Sequence, residues 1–207
     1  MSCIITEITG EEKELKTDKR SRKTVKAIQN ALLKFLTRKK LCEIKIVELC
    51  AAADVNRTTF YLHFKTTEDV LRSILEETVE KIFDQFRDAS FLQTMEYPLQ
   101  FLLTCTETLS SYPDFEQFVC VSSESLEFMN DLKNAFTERT CNEFIHDYPN
   151  SDGYYRYVIR FIVSGTLDTF VEWLRSDKSV TLESVLDRCG EMIRKGKDAL
   201  SFSESKQ

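Results

Sequence analysis

Apolar residues recur at the three- and four-residue spacing of helices along most of this chain, and they never sustain the alternation of a strand. Glycine (5) and proline (3) are scarce for 207 residues, which disfavours loop-rich sheets. The spacing predicts helices near residues 22–37, 46–53, 57–63, 67–86, 95–111, 114–121, 124–147, 154–176 and 181–199. We therefore expect an all-α fold of about nine helices without strands.

Three stretches of the chain differ in their patterning. Residues 1–18 are polar and lack periodicity, which predicts a disordered tail. Residues 19–66 hold three helical patterns and are predicted to form an N-terminal three-helix domain. Residues 67–207 are predicted to form a C-terminal helical bundle. The segment Thr66 to Asp69 resembles a capping box, with aspartate in place of glutamate, that opens the first helix of this bundle.

The formal net charge of −6 is divided unevenly along the chain. Residues 19–65 hold twelve lysines and arginines against three acidic residues, a net charge of +9. Residues 66–207 hold 14 basic and 26 acidic residues, a net charge of −12. A basic module on an acidic body suits a protein of which only one end meets phosphates, although a basic stretch alone is also typical of a solvated surface.

Composition argues against several other classes of protein. No stretch approaches the roughly 18 apolar residues of a membrane span, and the N-terminus lacks the basic start of a signal peptide, so we expect a cytoplasmic protein. Seven scattered cysteines without a CxxC pair and only two histidines indicate neither a disulfide framework nor a metal site, and no cofactor is expected. Without paired carboxylates, a serine elbow or a glycine-rich phosphate loop, an enzyme is not predicted.

Residues 46–64, IVELCAAADVNRTTFYLHF, contain two short helical patterns joined by a tight Ala-Asp-Val connection. Asn56 can cap the second of these helices. In a DNA-binding helix-turn-helix, the first helix braces the second, which enters the major groove. The same pattern also fits a helical hairpin in an ordinary bundle, and spacing alone leaves both interpretations open.

The second helix of this pair begins with side chains suited to nucleic acid. Arg57 can contact guanine through two hydrogen bonds, and Thr58 and Thr59 carry hydroxyls and methyls that can meet adenine or thymine. Phe60 and Phe64, four residues apart, are predicted to point inward and hold the helix. The side chains suited to phosphate contacts are Tyr61, His63 and Lys65.

Residues 22–75 resemble the N-terminal domain of the TetR family. The segment Val55 to Phe64 is similar to the signature of the family's recognition helix, and the segment Glu48 to Ala53 is similar to its second helix. The residues that fit its first and fourth helices are Thr24, Ile28, Ala31, Phe35, Glu68 and Val70. The run Phe161 to Leu186 is similar to the C-terminal domain of the DhaS-like TetR subgroup.

The resemblance implies a TetR-like, homodimeric regulator of transcription. It implies that residues 19–66 form a DNA-binding helix-turn-helix domain, and that residues 67–207 bind an effector and dimerise. Two such DNA-binding domains would read a pseudo-palindromic operator of double-stranded DNA. Family members are usually repressors released by a small-molecule effector. The alternative is a TetR-like coactivator or adaptor that acts through protein–protein contacts.

Three positions depart from the family pattern. The usual turn glycine is Asp54, which must either adopt a positive φ or change the turn. The usual threonine or serine that opens the second helix is Lys45, which loses a cap but offers a phosphate contact. The usual lysine that opens the fourth helix is Thr67, which offers a hydroxyl or amide contact. The expected DNA-binding residues are Lys45, Asn56, Arg57, Thr58, Thr59, Tyr61, His63, Lys65 and Thr67.

The predicted helix at 154–176 carries apolar residues on two faces. They are Ile159, Val163, Leu167, Phe170 and Leu174 on one face, and Val158, Phe161, Ile162, Gly165, Thr169 and Trp173 on the other. This pattern fits either a fully internal helix or one that packs on its own core and on a partner subunit. The family resemblance favours a partner. The expected dimer interface is formed by Val158, Ile162, Gly165, Thr169 and Trp173.

An effector pocket in the acidic body is expected to be apolar, because the chain has 15 phenylalanines but only two histidines. Helical facing also suggests which side chains would line it. These candidate effector-binding residues are Phe101, Cys105, Phe128, Phe136 and Phe161. Taken singly, each of them is more typical of an ordinary core position than of a ligand pocket.

Overall fold

A computed structural model describes residues 2–87, 98–147 and 153–197. The helices are α1 Ser2–Leu36, α2 Ile46–Ala52, α3 Arg57–His63, α4 Thr67–Gln85, α5 Pro98–Ser110, α6 Phe115–Val121, α7 Ser125–Asp147, α8 Tyr155–Arg175 and α9 Leu182–Lys197. Within those ranges there are nine α-helices, one short 3₁₀ turn and no strand, which confirms the predicted all-α fold. The predicted helix ends at 95–97 and 198–199 lie outside the described residues.

The first helix begins earlier than its apolar pattern predicts. The structure describes α1 from Ser2, over the stretch 1–18 for which the sequence predicts a disordered tail. This stretch has no proline and is rich in glutamate and lysine, which are good helix formers. A missing apolar period indicates only that a segment has no face to bury, so it does not exclude a helix.

The chain divides into two compact units, of which the first is Met1–Ile74. In this unit α2 contacts both α1 and α3. Its centre is formed by large apolar side chains that are fully buried, namely Ile28, Leu32, Leu33, Leu49, Phe60 and Ile74. Burying each such side chain stabilises the fold by roughly 1.5–3 kcal/mol. The short α2 and α3 are therefore held by packing, because helices of two turns are not stable alone.

Carboxylates take part in the caps at the starts of α2 and α4. Glu48 accepts hydrogen bonds from the Lys45 backbone N–H (3.3 Å) and from the Lys39 ammonium (2.9 Å). The Lys39 contact, followed by the backbone contact, lowers the pKa of Glu48. At α4, Thr66 Oγ1 accepts from the Asp69 N–H (3.1 Å), and Asp69 accepts in return from the Thr66 N–H (3.1 Å). The predicted capping box with aspartate in place of glutamate is confirmed.

The second unit, Leu75–Gln207, contains α5 to α9. Here α7 packs along α8, α9 packs on α5 and α8, and α6 contacts both α7 and α8. Phenylalanine rings fill much of its interior: Phe118 lies 6.2 Å from Phe115 and 5.6 Å from Phe128, measured between ring centroids. At the start of α8, Tyr155 stacks on Phe144 at 4.9 Å. A membrane span would need a longer run of apolar residues than any helix within the described ranges provides.

Candidate nucleic-acid interface

The turn between α2 and α3 keeps its helix-turn-helix geometry although it has no glycine. Asp54 adopts φ 53°, in the left-handed region that glycine normally occupies. The Val55 N–H donates to the Cys50 carbonyl at 3.0 Å and closes the turn. Of the two outcomes that the sequence allowed, the strained aspartate is therefore the one observed. Aspartate tolerates this conformation better than most residues, but it is disfavoured there by about 1 kcal/mol relative to glycine.

Asn56 starts α3 by capping it. Its backbone is extended, and its Oδ1 accepts a hydrogen bond from the Thr59 N–H at 2.7 Å. This confirms the predicted cap. Because Oδ1 is engaged, the side-chain NH₂ of Asn56 is the group left to donate to DNA, and the residue is exposed.

Two phenylalanines fix the orientation of α3. Phe60 is 0% exposed and Phe64 is 7% exposed, as the sequence predicts. Their ring centroids lie 5.9 Å apart, and the ring of Tyr61 meets that of Phe60 edge to face at 5.6 Å. Since a buried aromatic ring on each of two successive turns holds the helix, its opposite side is presented to solvent in a defined rotation.

The predicted DNA-contacting side chains occupy different positions on this module. Arg57, Thr58 and Tyr61 are exposed and share the outward side of α3. Thr59 and His63 are half-buried, at the border with the packed side. The two lysines are also exposed, with Lys45 preceding α2 and Lys65 following α3.

Thr67 is the exception among the predicted contacts. It is only 7% exposed, and its hydroxyl donates to Glu68 Oε2 at 3.2 Å. At the first position of α4 the threonine side chain packs inward, whereas a lysine would extend into solvent. The burial of this side chain disfavours the hydroxyl contact at Thr67, whereas the alternative backbone amide contact stays a prediction.

The sequence prediction passed over Leu62, which is 77% exposed. It lies two residues after the buried Phe60 and two before the buried Phe64, so the helical rotation places it on the opposite side, next to Thr58. Counting this rotation from the two phenylalanines would have identified it. Leu62 is not among the predicted contacts because those residues were chosen for their polar groups.

The two apolar faces of α8 have different surroundings. The buried or half-buried face consists of Ile159, Val163, Leu167, Phe170 and Leu174. On the other face Phe161 is 78% exposed and Gly165 is exposed, which excludes a fully internal helix. The remaining residues of that face are half-buried, namely Val158, Ile162, Thr169 and Trp173. We call the residues of this second face the open face of α8.

A groove of about 530 Å³ continues the open face towards α9. It is lined by Thr169 and Trp173 of that face, together with the carboxylates of Asp168, Glu172 and Asp177. The Trp173 Nε1–H donates to the Val180 carbonyl at 2.8 Å. The ring of Trp173 also carries the Lys178 ammonium 5.0 Å from its centroid, so the indole is held in place.

The five predicted effector-binding residues do not all line the same cavity. Phe101, Cys105 and Phe136 line one small cavity of about 40 Å³, together with Ile162, Val163, Thr166 and Leu167. Burial raises the pKa of the Cys105 thiol, which is therefore protonated and unreactive. Phe128 is not part of this cavity and packs on Phe115 and Phe118 instead. Phe161 points to solvent, because it shares the helix rotation of the open face.

Comparisons with known proteins agree with this architecture. Residues 96–195 match the family model TetR_C_8, the C-terminal region of transcriptional regulators. A segment of 85 residues is 32% identical to the uncharacterised HTH-type transcriptional regulator YxbF of Bacillus subtilis. The matched segment makes up 40% of this chain and 22% of YxbF, so it spans about a fifth of that relative.

Solved structures share the fold over most of the chain. A TetR transcriptional regulator of Streptococcus agalactiae aligns with a TM-score of 0.56 at 21% identity, covering 87% of this chain and 98% of the other. A TetR-family regulator of Syntrophomonas wolfei aligns with a TM-score of 0.63 at 15% identity, covering 89% and 99%. The dihydroxyacetone kinase operon activator DhaS aligns with a TM-score of 0.58 at 18% identity, covering 85% and 97%.

The all-α fold of this chain is the one that these TetR-type transcriptional regulators share. By sequence, residues 96–195 are similar to the C-terminal region of transcriptional regulators. DhaS is one of several proteins that share this fold at low identity, so the DhaS-like subgroup stays a prediction.

Proposed function

We propose that this chain is a dimeric, DNA-binding transcriptional regulator that reads a pseudo-palindromic operator with α3. The observation that carries the proposal is the fixed rotation of α3. Buried Phe60 and Phe64 hold one side of the helix, and Arg57 and Thr58 stand exposed on the other. This is the arrangement that a helix needs in order to enter a major groove with its first turn towards the bases.

Charge supports the same role for this module. Residues 19–65 carry +9, while residues 66–207 carry −12. Positive charge on the DNA-reading module attracts phosphates and displaces their counterions, so binding should weaken steeply with salt. Negative charge on the body should oppose non-specific adsorption of the rest of the chain to DNA.

We assign each side chain to a base edge or to a phosphate according to the hydrogen-bonding and methyl groups that it carries. Arg57 suits a guanine edge, and Thr58 and Thr59 suit adenine or thymine. Phosphate contacts are assigned to Tyr61, His63, Lys65 and Lys45, and to the free amide NH₂ of Asn56. Thr67 is left out of this set, because its side chain is buried.

Dimerisation is assigned to the open face of α8. Phe161, with 78% of its surface exposed, and the half-buried Val158 and Ile162 form an apolar strip that a second copy would cover. Gly165 lets two backbones approach, since it has no side chain and nothing lies within 4 Å of the place where a Cβ would be. Two α3 helices would then read half-sites about 34–36 Å apart, or a multiple of that distance.

Effector control is assigned to the apolar cavity beside α8. At about 40 Å³ it is far below the roughly 300–1,000 Å³ of ligand pockets, so an effector would have to open it. Its lining by Phe101, Cys105 and Phe136 suits a small apolar molecule. We propose repression in the cytoplasm that is released when such a molecule binds. A reporter gene placed behind the operator tests whether the protein represses or activates transcription. If the protein is a repressor, deleting its gene should raise expression of the reporter.

The test of DNA binding uses duplexes from upstream of this gene and its neighbours at physiological salt. The wild type should bind one of them more tightly than random duplex. Arg57→Ala should lose roughly 1–3 kcal/mol and relax the sequence preference at one position of each half-site. Arg188→Ala, which removes an exposed arginine from α9, is the control and should change neither property. Equal binding of wild type to every duplex would contradict the proposal.

A second candidate function is a coactivator or adaptor that acts through protein contacts. Val121 (58% exposed) and Leu126 (69% exposed) favour it, because they are apolar and lie outside the open face of α8. The neighbour DhaS is itself named an operon activator. This function predicts a regulatory effect that survives Arg57→Ala and is lost in the double variant Val121→Asp, Leu126→Asp. The proposed DNA reader predicts the opposite pattern in the same reporter assay.

A further inference from the structure

We propose that Leu62 is a specificity-determining residue that contacts the 5-methyl group of one thymine in each operator half-site. The inference rests on the proposed DNA-binding function and adds a chemical requirement to it. It assigns a purely apolar contact to a helix whose other exposed side chains all carry polar groups.

The position of Leu62 on α3 is the first observation. Its side chain is 77% exposed, more than that of Tyr61, which is 50% exposed on the same helix. By helical rotation Leu62 shares the outward side with Thr58, one turn earlier. The four-residue step from Thr58 to Leu62 corresponds to a rise of about 6 Å along the helix, which is less than two base-pair steps of about 3.4 Å. A base met by Leu62 is therefore close to the base met by Thr58.

The packed side of α3 keeps Leu62 outward. Phe60 is fully buried and Phe64 nearly so, and their rings lie 5.9 Å apart. His63 fills the border of that side, with its ring centroid 6.3 Å from that of Phe64. Rotating α3 to bury Leu62 would expose two phenylalanine rings, so leucine remains at the surface of the free protein.

The chemistry of the groove identifies the contact. Leucine has no hydrogen-bond donor, so it cannot bind a phosphate or a polar base edge. Among the groups that base pairs present in the major groove, the thymine methyl is the apolar one. Leu62 also lies within the segment of charge +9, which favours an occupant that is anionic overall. DNA with a thymine at this position satisfies both conditions, whereas an apolar protein surface satisfies only the first.

The test begins with selection from a random-sequence duplex library by the wild-type protein. Each thymine of the enriched site is then replaced, one at a time, by deoxyuridine, which removes only the methyl group. At one thymine per half-site the replacement should weaken wild-type binding about fourfold, the value expected for one buried methyl. In Leu62→Ala, thymine and deoxyuridine should bind equally at that position, and Leu62→Met should restore the preference.

Leu126→Ala is the matched control, because it removes a leucine of similar exposure from α7. It should keep the full preference for thymine over deoxyuridine. An enriched site at which no thymine is sensitive, or a preference that survives Leu62→Ala, overturns this inference while leaving the proposed function intact. If Leu62→Ala weakens all duplexes equally, the side chain serves another contact and the inference is again wrong. A wild type that enriches no sequence overturns the inference and the proposed function together.

Discussion

The helices α3 and α8 both have one buried apolar face, but they differ in the side chains that their other face leaves exposed. Each buries one apolar face in its own unit, through Phe60 in α3 and through Phe170 in α8, both 0% exposed. The free side of α3 combines arginine, threonine and tyrosine with a single leucine, within a basic segment. The free side of α8 presents Phe161 and half-buried aliphatic residues. Buried faces define the fold, and the different chemistry of the two free faces is the reason why we propose DNA as the partner of α3 and a second copy of the chain as the partner of α8.

The largest effect expected is on the buried side of α3. Phe60→Ala should reduce the free energy of unfolding of the first unit by about 3–5 kcal/mol, because it leaves a cavity beneath a seven-residue helix. Leu62→Ala, two positions away but exposed, should stay within about 0.5 kcal/mol of the wild type. Urea denaturation measures both. Similar losses in the two variants would contradict the assignment of inner and outer sides.

The next effect concerns the free side of α8. Phe161→Asp should weaken self-association by about 2 kcal/mol or more, roughly 30-fold, because a carboxylate would be buried in an apolar contact. Sedimentation at several protein concentrations measures the change. Leu126→Asp introduces the same charge at an exposed leucine of α7 and should leave the oligomeric state unchanged. If only the Leu126 variant dissociates, the open face of α8 is not the interface.

A smaller effect is expected in the turn that positions α3. Asp54→Gly should stabilise the first unit by about 1 kcal/mol, because glycine adopts the observed φ of 53° without steric cost. Asp54→Ala keeps a Cβ and lacks aspartate's tolerance of this region, so it should not stabilise. Thermal unfolding compares the two variants. A loss of stability in Asp54→Gly would mean that the carboxylate has a role in the turn beyond its backbone conformation.

The smallest effect follows from the charge at the start of α2. The folded-state pKa of Glu48 lies below its ordinary value of 4.5, through contacts with Lys39 and the Lys45 N–H. A lowered folded pKa stabilises the protein above the unfolded pKa, and this contribution is lost as the pH falls through the folded pKa. In Glu48→Gln the free energy of unfolding should therefore fall less steeply with decreasing pH below about pH 4.5 than it does in the wild type. If Glu48→Gln and the wild type unfold over the same range of acidic pH, Glu48 makes no such contribution to stability.

The fold was predictable from the sequence because apolar spacing records which faces are buried. That spacing identified α2, α3 and α8, and the aspartate variant of the capping box at α4 was visible in the residue types. It did not reveal the helical start of α1, since a segment without a buried face leaves no apolar period. Spacing also could not decide whether α8 is internal, because exposure depends on which neighbouring helices are present.

The candidate site was predictable in part, for similar reasons. Arg57 and Thr58 lie exposed at the start of a capped helix, where the sequence placed them. Thr67 was assigned by analogy with a lysine, but a short side chain at the start of α4 packs inward. Leu62 was omitted because an apolar residue does not suggest DNA contact until its rotation relative to Phe60 is known.

A footprint of the wild-type protein on its selected duplex tests the central claim most directly, that two copies of α3 read one operator. A dimer bound through both α3 helices should give two protected patches with centres about 10 base pairs apart, or a multiple of that spacing. Both should vanish together in Arg57→Ala and in Phe161→Asp, the first through lost base contacts and the second through lost dimerisation. A single protected patch, or protection that is unchanged in Arg57→Ala, would show that two copies of α3 do not read one operator.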